Sequence, residues 1–389
     1  KRNNRLQKTK FLKILITVGI YPPDIGGPAS FVPKIAKLLA ENKHDVTVIC
    51  LSDNKVEDNE VYKVERILRN QNLLLRWIKT ILTIIKNGRN VDCLFVNGLP
   101  MESYVSNLFL RKKLVRKIVG DWAWERGRNK GLISESFDEF QENSHNLHLE
   151  IAKFSRGWTA TKADIVITPS KHLSKVVENW GVQPDKLMII YNGTKIVNDD
   201  ILKTNQETIN LITVGRLAPW KNIDTIIKSV NLLKQYDIKF KLFIVGSGPL
   251  ESELKKLVSD CNLSSEVVFT GQKKYTELTE YYKNSNIYIQ ASGYEGLPHV
   301  LLEAINYDLS VISTPIGGSN EILQDGKNGY VLNLEKGKKP NTENLKNIIL
   351  ETINKKELTE EKRKNAKKLL HSIFDESKNF PKYLEILTK

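Results

Sequence analysis

Short apolar runs alternate with amphipathic stretches along the whole chain. FLKILITVG (11–19), DVTVICL (45–51), CLFVNG (93–98), LVRKIVG (114–120) and ADIVITPS (163–170) form a first series. A second series follows: INLITVG (209–215), KLFIVGS (241–247), VVFTG (267–271), IYIQAS (287–292) and SVISTP (310–315). After it, GKNGYVL (326–332) reads as a turn and a short strand. Runs of this length, bounded by Gly, Pro and Ser, suit strands buried on both faces of a parallel sheet. Between them, 28–43, 222–236 and 250–260 carry helical spacing. Strand alternating with helix predicts a doubly wound α/β architecture, twice over. The series breaks in the polar stretch 195–208, which puts one domain at 1–200 and another at 201–370. The tail, 371–389, regains apolar spacing at Tyr383, Leu384 and Leu387, so it must pack onto something.

Charge adds one asymmetry. The net charge is +14, and residues 1–200 hold 32 basic and 22 acidic residues, or +10 of it. This points to an anionic partner of the first half: nucleotide, nucleic acid or lipid surface. A Lys-rich solvated surface is the plain alternative. Residues 72–85, NLLLRWIKTILTII, place Leu74, Trp77, Ile78, Ile81, Leu82 and Ile85 on one helical stripe among Arg and Lys. Such a helix either packs on the first sheet or lies on an anionic membrane. No apolar run approaches the ~20 residues that span a bilayer. The basic opening resembles a signal peptide, but Lys13 interrupts its apolar part, and 11–19 reads instead as the first strand. Three cysteines without a CxxC or Cys/His cluster exclude a disulfide scaffold and argue against structural zinc. Cys50 and Cys93 fall in strands, which suggests a reduced, cytoplasmic setting.

Candidate chemistry sits where strands end and helices begin. Gly26-Gly27-Pro28 opens a helix after the first strand, and bare amides at a helix start bind anions. Arg216 and Lys221 flank the loop after the first strand of the second half, where a fork and a point charge can neutralise a diphosphate. Gly246 and Gly248 match two of the three glycines of a dinucleotide fingerprint, with Glu251 in the third place, or they simply mark a helix start. Glu295-Gly296-Leu297-Pro298 precedes a helix bearing Glu303. Amides from about Leu297 onward would cradle a phosphate between two carboxylates that can grip ribose and sugar hydroxyls. Thr314-Pro-Ile-Gly-Gly-Ser-Asn-Glu321 is a further Gly-Gly loop opening a helix.

With these motifs in this order, the chain resembles a GT-B fold retaining glycosyltransferase of glycosyltransferase family 4. The elements that carry the resemblance are the Gly-Gly loop, G-R-x4-K, VGSGP, Glu295-x7-Glu303 and TP-x-GG-x-x-E. The resemblance implies two Rossmann-like domains facing across a cleft, the first for the acceptor and the second for a nucleotide-sugar donor. It also implies that the final helix crosses back to the first domain. By position, the resemblance implies that Glu303 binds the ribose and Glu295 the transferred sugar. Arg216 and Lys221 hold the diphosphate, with Gly27 donating from the other domain. Gly271-Gln272-Lys273 lies near the base. The resemblance further implies that anomeric configuration is retained and that no cofactor or metal is required, in keeping with the absence of a DxD triplet.

One departure concerns the acceptor side. Many family members carry a His after the fourth or fifth strand of the first domain, and Asp121 occupies that neighbourhood here. Asp121 would orient the acceptor or a sugar hydroxyl, or support charge at the anomeric carbon; otherwise it is a helix N-cap. Trp122 and Trp124 offer flat faces to a sugar, or fill the core. The function expected is transfer of a hexose from a UDP- or GDP-sugar to a glycan or lipid-linked acceptor, in cell-envelope polysaccharide synthesis at the inner face of the membrane. A GT-B nucleotide-sugar epimerase or phosphorylase is the enzymatic alternative. A basic nucleic-acid-binding protein is the other, although no basic stripe with interleaved aromatics is present, so nucleic acid is not expected as a partner.

Overall fold

The computed structural model describes residues 11–197, 207–324, 326–335 and 338–389. The expected domain break near 200 lies mostly outside the described residues.

Two parallel sheets organise the chain. The first holds seven strands: β1 Lys13–Val18, β2 Asp45–Ser52, β3 Lys63–Leu68, β4 Cys93–Val96, β5 Lys113–Lys117, β6 Ile165–Thr168 and β7 Leu187–Ile189, in the order β3-β2-β1-β4-β5-β6-β7. The second holds six: β8 Ile209–Val214, β9 Phe240–Val245, β10 Val267–Gly271, β11 Ile287–Gln290, β12 Ser310–Ser313 and β13 Tyr330–Val331, in the order β10-β9-β8-β11-β12-β13. Each order reverses beside its first strand, between β1 and β4 and between β8 and β11. Such reversals open a crevice at the strands' carboxyl ends. Helices cover both faces of each sheet, and their apolar sides form separate clusters with the strands.

Two strands lack a long apolar run to announce them. β3 reads KVERIL, with three charges and mostly half-buried side chains, and β7 reads LMI, only three residues long; both are edge strands. An edge strand is not enclosed on every side, so it need not be apolar throughout. Cys50 and Cys93 are buried within β2 and β4.

The last helix, Glu376–Thr388, leaves the second domain and packs on the first. Phe380, Tyr383, Ile386 and Leu387 join the cluster around β1 and the helix Gly27–Glu41. The Tyr383 ring lies 5.1 Å from that of Phe31. The preceding helix, Lys356–Ile373, still belongs to the second domain through Ala366, Leu369 and Leu370. The chain changes domain between them, where Thr194 N–H donates to Phe374 O at 2.9 Å and Glu376 N–H to Thr194 O at 3.1 Å.

The segment 72–85 forms the helix Leu73–Gly88, capped by Asn72, whose side chain accepts from Leu74 N–H at 2.9 Å. Its buried face centres on Thr80, Ile81 and Ile84. The expected stripe is therefore split: Ile81 is in the core, while Leu74, Ile78 and Leu82 stay exposed, as do Leu73 and Leu75. No helix among the described residues is long and apolar enough to cross a membrane.

Candidate active site

The carboxyl ends of the two sheets face each other and enclose a cavity of about 290 Å³. The second domain supplies Arg216, Trp220, Lys221, Tyr294, Glu295, Gly296, Leu297 and His299; the first supplies Gly27, Pro28, Phe31, Asn97, Lys117, Val119, Glu125 and Asn192. A second cavity of about 720 Å³ adjoins it, sharing Phe31, Asn192 and His299, and contains Glu303 and Lys34. Among the sequence-derived candidates, Gly27, Arg216, Lys221, Glu295, Gly296 and Leu297 thus meet in one space, with Glu303 in the next.

Backbone packing holds these groups in place. Loop 292–298 joins β11 to the helix His299–Asn306. A Cβ on Gly296 would lie 2.3 Å from Val119 O, across the domain boundary. On Gly317 it would lie 2.0 Å from Glu295 O, and on Gly318 2.2 Å from Gly296 O. Gly318 N–H donates to Glu295 O at 3.0 Å, and Gly293 N–H to Trp220 O at 2.6 Å. The loop is therefore wedged between Val119 on one side and the Gly-Gly turn on the other. From it the Glu295 carboxylate reaches Lys221 Nζ at 2.6 Å and accepts from Ser292 Oγ at 2.7 Å. Glu321, at the end of the Gly-Gly motif, accepts from Tyr191 OH at 2.7 Å and His172 N–H at 3.1 Å, tying the two domains together.

Burial sets the protonation of the wall. It pushes the Glu303 carboxyl up to about 7, opposed by the hydrogen bond that Tyr282 OH donates at 3.1 Å. It pushes His299 down to about 3, helped by the Lys117 and Lys34 charges, so the imidazole is neutral. Lys117 is held well below the usual lysine range by burial. Its Nζ donates to Asn192 Oδ1 at 3.0 Å and sits 3.2 Å from the centroid of the Phe31 ring.

Other candidates lie elsewhere. Gly246 does not line the cavity; a Cβ there would lie 2.0 Å from Gly215 O, so its role is to let the loop after β9 nest against the Arg216 loop. Gly26, Gly271, Gln272, Lys273 and Pro298 are likewise outside the lining of both cavities. Asp121 corrects the expectation of a cleft-facing carboxylate. It is fully buried, caps the helix Trp122–Asn129 by accepting from Ala123 N–H at 3.0 Å, and pairs with the buried Arg156. Gln141 Nε2 donates to its other oxygen at 3.0 Å. Trp124 is a core residue, 1% exposed, packed against Trp220 and Tyr294 with ring centroids 5.4 and 5.2 Å away. It edges only a side cavity behind those rings. Trp122 is 37% exposed and lines none of these cavities, so neither ring presents a face to the cleft.

The residues missed from sequence are Asn97, Lys117, Glu125, Asn192 and His299. Asn97 directly follows β4, and the rule that ligands sit beyond strand carboxyl ends could have found it. Lys117 lay hidden in a run read as core strand. Among the described residues, no cluster of three or more His, Cys, Asp or Glu is placed to hold a metal ion.

Comparison with known proteins matches this arrangement. The model for glycosyl transferases group 1 matches residues 195–369, and that for glycosyltransferase family 4 matches residues 25–196. An uncharacterized glycosyltransferase of Methanocaldococcus jannaschii is 27% identical, covering 97% of this chain and 98% of its own. The N-acetylgalactosamine-N,N'-diacetylbacillosaminyl-diphospho-undecaprenol 4-alpha-N-acetylgalactosaminyltransferase of Campylobacter jejuni is 24% identical, over 81% of this chain and 85% of its own. Among solved structures, Anabaena HepE in complex with UDP and glucose superposes with a TM-score of 0.77 at 18% identity, over 97% of this chain and 99% of that one. The fold is GT-B.

Asp121→Asn removes the counter-charge of a buried Arg156 while leaving a residue that caps helices well. Stability should fall by about 3 kcal/mol, since breaking one partner of a buried pair costs roughly that much. Denaturant unfolding measures it; a midpoint equal to the wild type would show that the pair contributes nothing.

Proposed function

We propose that this chain, a GT-B glycosyltransferase of family 4 type, moves a hexose from a UDP- or GDP-sugar to a glycan or lipid-linked acceptor, with retention and without a metal. The observation that carries this reading is the meeting of Arg216, Lys221 and Glu295 in one interdomain cavity, with Glu303 in the larger one beside it. The larger cavity has room for a nucleoside, with the Glu303 carboxylate for the ribose hydroxyls. The smaller one has room for the sugar, with two cations for the diphosphate. The UDP in HepE and the diphospho-undecaprenol in the name of the Campylobacter relative support the donor and acceptor classes.

The chemistry follows from the charges. As the bond from the anomeric carbon to phosphate oxygen breaks, negative charge builds on the leaving diphosphate. Arg216 and Lys221 stabilise it without a divalent cation. Lys221 is paired with Glu295. A bound donor would draw Lys221 to the phosphate and free Glu295 for a sugar hydroxyl. The acceptor hydroxyl attacks on the face that the phosphate leaves, and a phosphate oxygen takes its proton.

The helix Leu73–Gly88 carries the second part of the proposal. Its exposed Leu73, Leu74, Leu75, Ile78 and Leu82 lie close to the exposed Lys79, Lys86 and Arg89. An apolar face with basic flanks suits the surface of an anionic membrane. This would bring the first domain to a lipid-linked acceptor on the cytoplasmic face.

The donor screen comes first. Incubation with UDP-glucose, UDP-galactose, UDP-N-acetylglucosamine and GDP-mannose should release free nucleotide slowly from at least one, and a chelator should not change the rate. Lys221→Ala should lower turnover at saturating donor by tenfold or more, or about 1.4 kcal/mol of transition-state stabilisation. Normal turnover with only a raised KM would reduce Lys221 to a binding contact.

Glu303 gives a pH signature. Ribose hydroxyls donate to the ionised carboxylate, and its proton leaves only near pH 7. Free-nucleotide affinity should therefore drop by roughly an order of magnitude from pH 7.5 to pH 6. Glu303→Gln should bind weakly throughout and lose that part of the pH dependence. Parallel profiles for the two proteins in calorimetry would refute the ribose role.

For the membrane, sedimentation with vesicles should increase with phosphatidylglycerol content and decrease with salt. Changing Lys79, Lys86 and Arg89 together to Gln should weaken it by about 1 kcal/mol per charge. Indifference to lipid charge would return the helix to a purely structural role.

A further inference from the structure

Glu125 is a carboxyl group in the cleft that the reading above does not use. The helix Trp122–Asn129 that bears it is fixed from behind. Asp121 caps it and is locked to Arg156, and Trp124 is clamped among Trp220 and Tyr294. This sets the helix so that Glu125 lines the 290 Å³ cavity, across from Arg216, Lys221 and Glu295. Gly120 leaves space for it: a Cβ there would lie 3.0 Å from Glu125 Oε1.

Among the described residues, no hydrogen bond or ion pair holds this carboxyl. Burial pushes its protonation range upward, the Lys221 and Arg216 charges pull it down, and Glu295 adds to the rise. The side chain is half-buried in the first turn of its helix, and with no protein partner its oxygens stay open to a ligand in the cavity. The same wall carries Asn97, whose Nδ2 and Oδ1 are both buried without a hydrogen bond. Two unpaired polar groups in a cavity too small for a nucleotide call for a compact ligand rich in hydroxyls.

We propose that Glu125 contacts a hydroxyl group of the sugar being transferred and helps to select that sugar. The assignment rests on the donor reading above. Arg216 and Lys221 fix the diphosphate on the second domain, so the sugar attached to it projects toward the opposite wall, where Glu125 and Asn97 stand.

The test compares free nucleotide with nucleotide sugar, using UDP or GDP and whichever of the four screened donors the wild type hydrolyses fastest. Calorimetry on Glu125→Ala and Glu125→Gln gives the ratio of the two dissociation constants. In the Ala variant the ratio of nucleotide sugar to nucleotide should rise at least tenfold, and in the Gln variant by less. Both variants should melt close to the wild type, because no hydrogen bond or ion pair of the side chain is removed. An unchanged ratio in both variants overturns the assignment, even if both constants shift together through the nearby cations. So does a wild type that binds nucleotide and nucleotide sugar equally well. A wild type that binds no nucleotide at all sinks the donor reading itself, which separates the two failures.

Discussion

The site depends on a backbone contact with no room for a side chain. Gly296 meets Val119 O of the first domain, while Gly317 and Gly318 press against the carbonyls of Glu295 and Gly296. A methyl group at any of these three positions would collide with backbone, which cannot swing aside as a side chain can. The triple contact fixes where Glu295 emerges, and hence where Lys221 finds its partner. It also brings the carboxyl ends of the two sheets close enough to share one cavity. Glycines that resemble phosphate-binding loops in sequence therefore act partly as spacers between loops. Gly246 beneath Gly215 is the same device.

Around that fixed frame the charges are poorly compensated. Lys117 is buried with an amide oxygen and an aromatic face as its neighbours, and Glu303 has a single tyrosine. The consequence for Glu303 has a definite sign. Its folded-state value of about 7 lies above its ordinary 4.5, so the folded state holds the extra proton between these limits. Its contribution to stability is fully present below about 4.5 and is lost as the pH rises through 7. At neutral pH the buried Glu303 carboxyl therefore no longer contributes its full share of stability. Groups that must meet a ligand in a desolvated cleft cannot also be saturated by the protein.

The fold was legible because most strands are buried on both faces and read as continuous apolar runs. Only β3 and β7 escaped: β3 is an edge strand that tolerates charge, and β7 is only three residues long. On the second domain the site was legible too. Arg216, Lys221, Glu295, Gly296 and Leu297 sit in two short loops, so spacing along the chain reports spacing in space. The first-domain wall has no such economy. Asn97, Lys117, Glu125 and Asn192 come from separate strand ends and one helix, and only the sheet order brings them together. Asp121 misled because it stands just past a strand end, where cleft residues often stand. Its oxygens were taken by the helix start behind it and by Arg156, a partner 35 positions later that no local pattern reveals.

The way the chain changes domain bears on how such a cleft can work. The outgoing segment at Gly193-Thr194 and the returning one at Asp375-Glu376 run side by side, and a Cβ on Gly193 would lie 2.6 Å from the Glu376 backbone. Two covalent crossings at one place leave the domains a shared pivot. Other ties include Glu321 to Tyr191, the Val119–Gly296 contact and the packing of Trp124 on Trp220 and Tyr294. Lys34, at the first-domain edge of the 720 Å³ cavity, pairs with Glu376 beside this crossing at 2.6 Å. Rotation about this point would have to disturb the packing of Trp124 and Phe137 on Trp220 and Tyr294, where rings of both domains share one buried cluster, so that seam sets the width of the cleft as much as the crossing does.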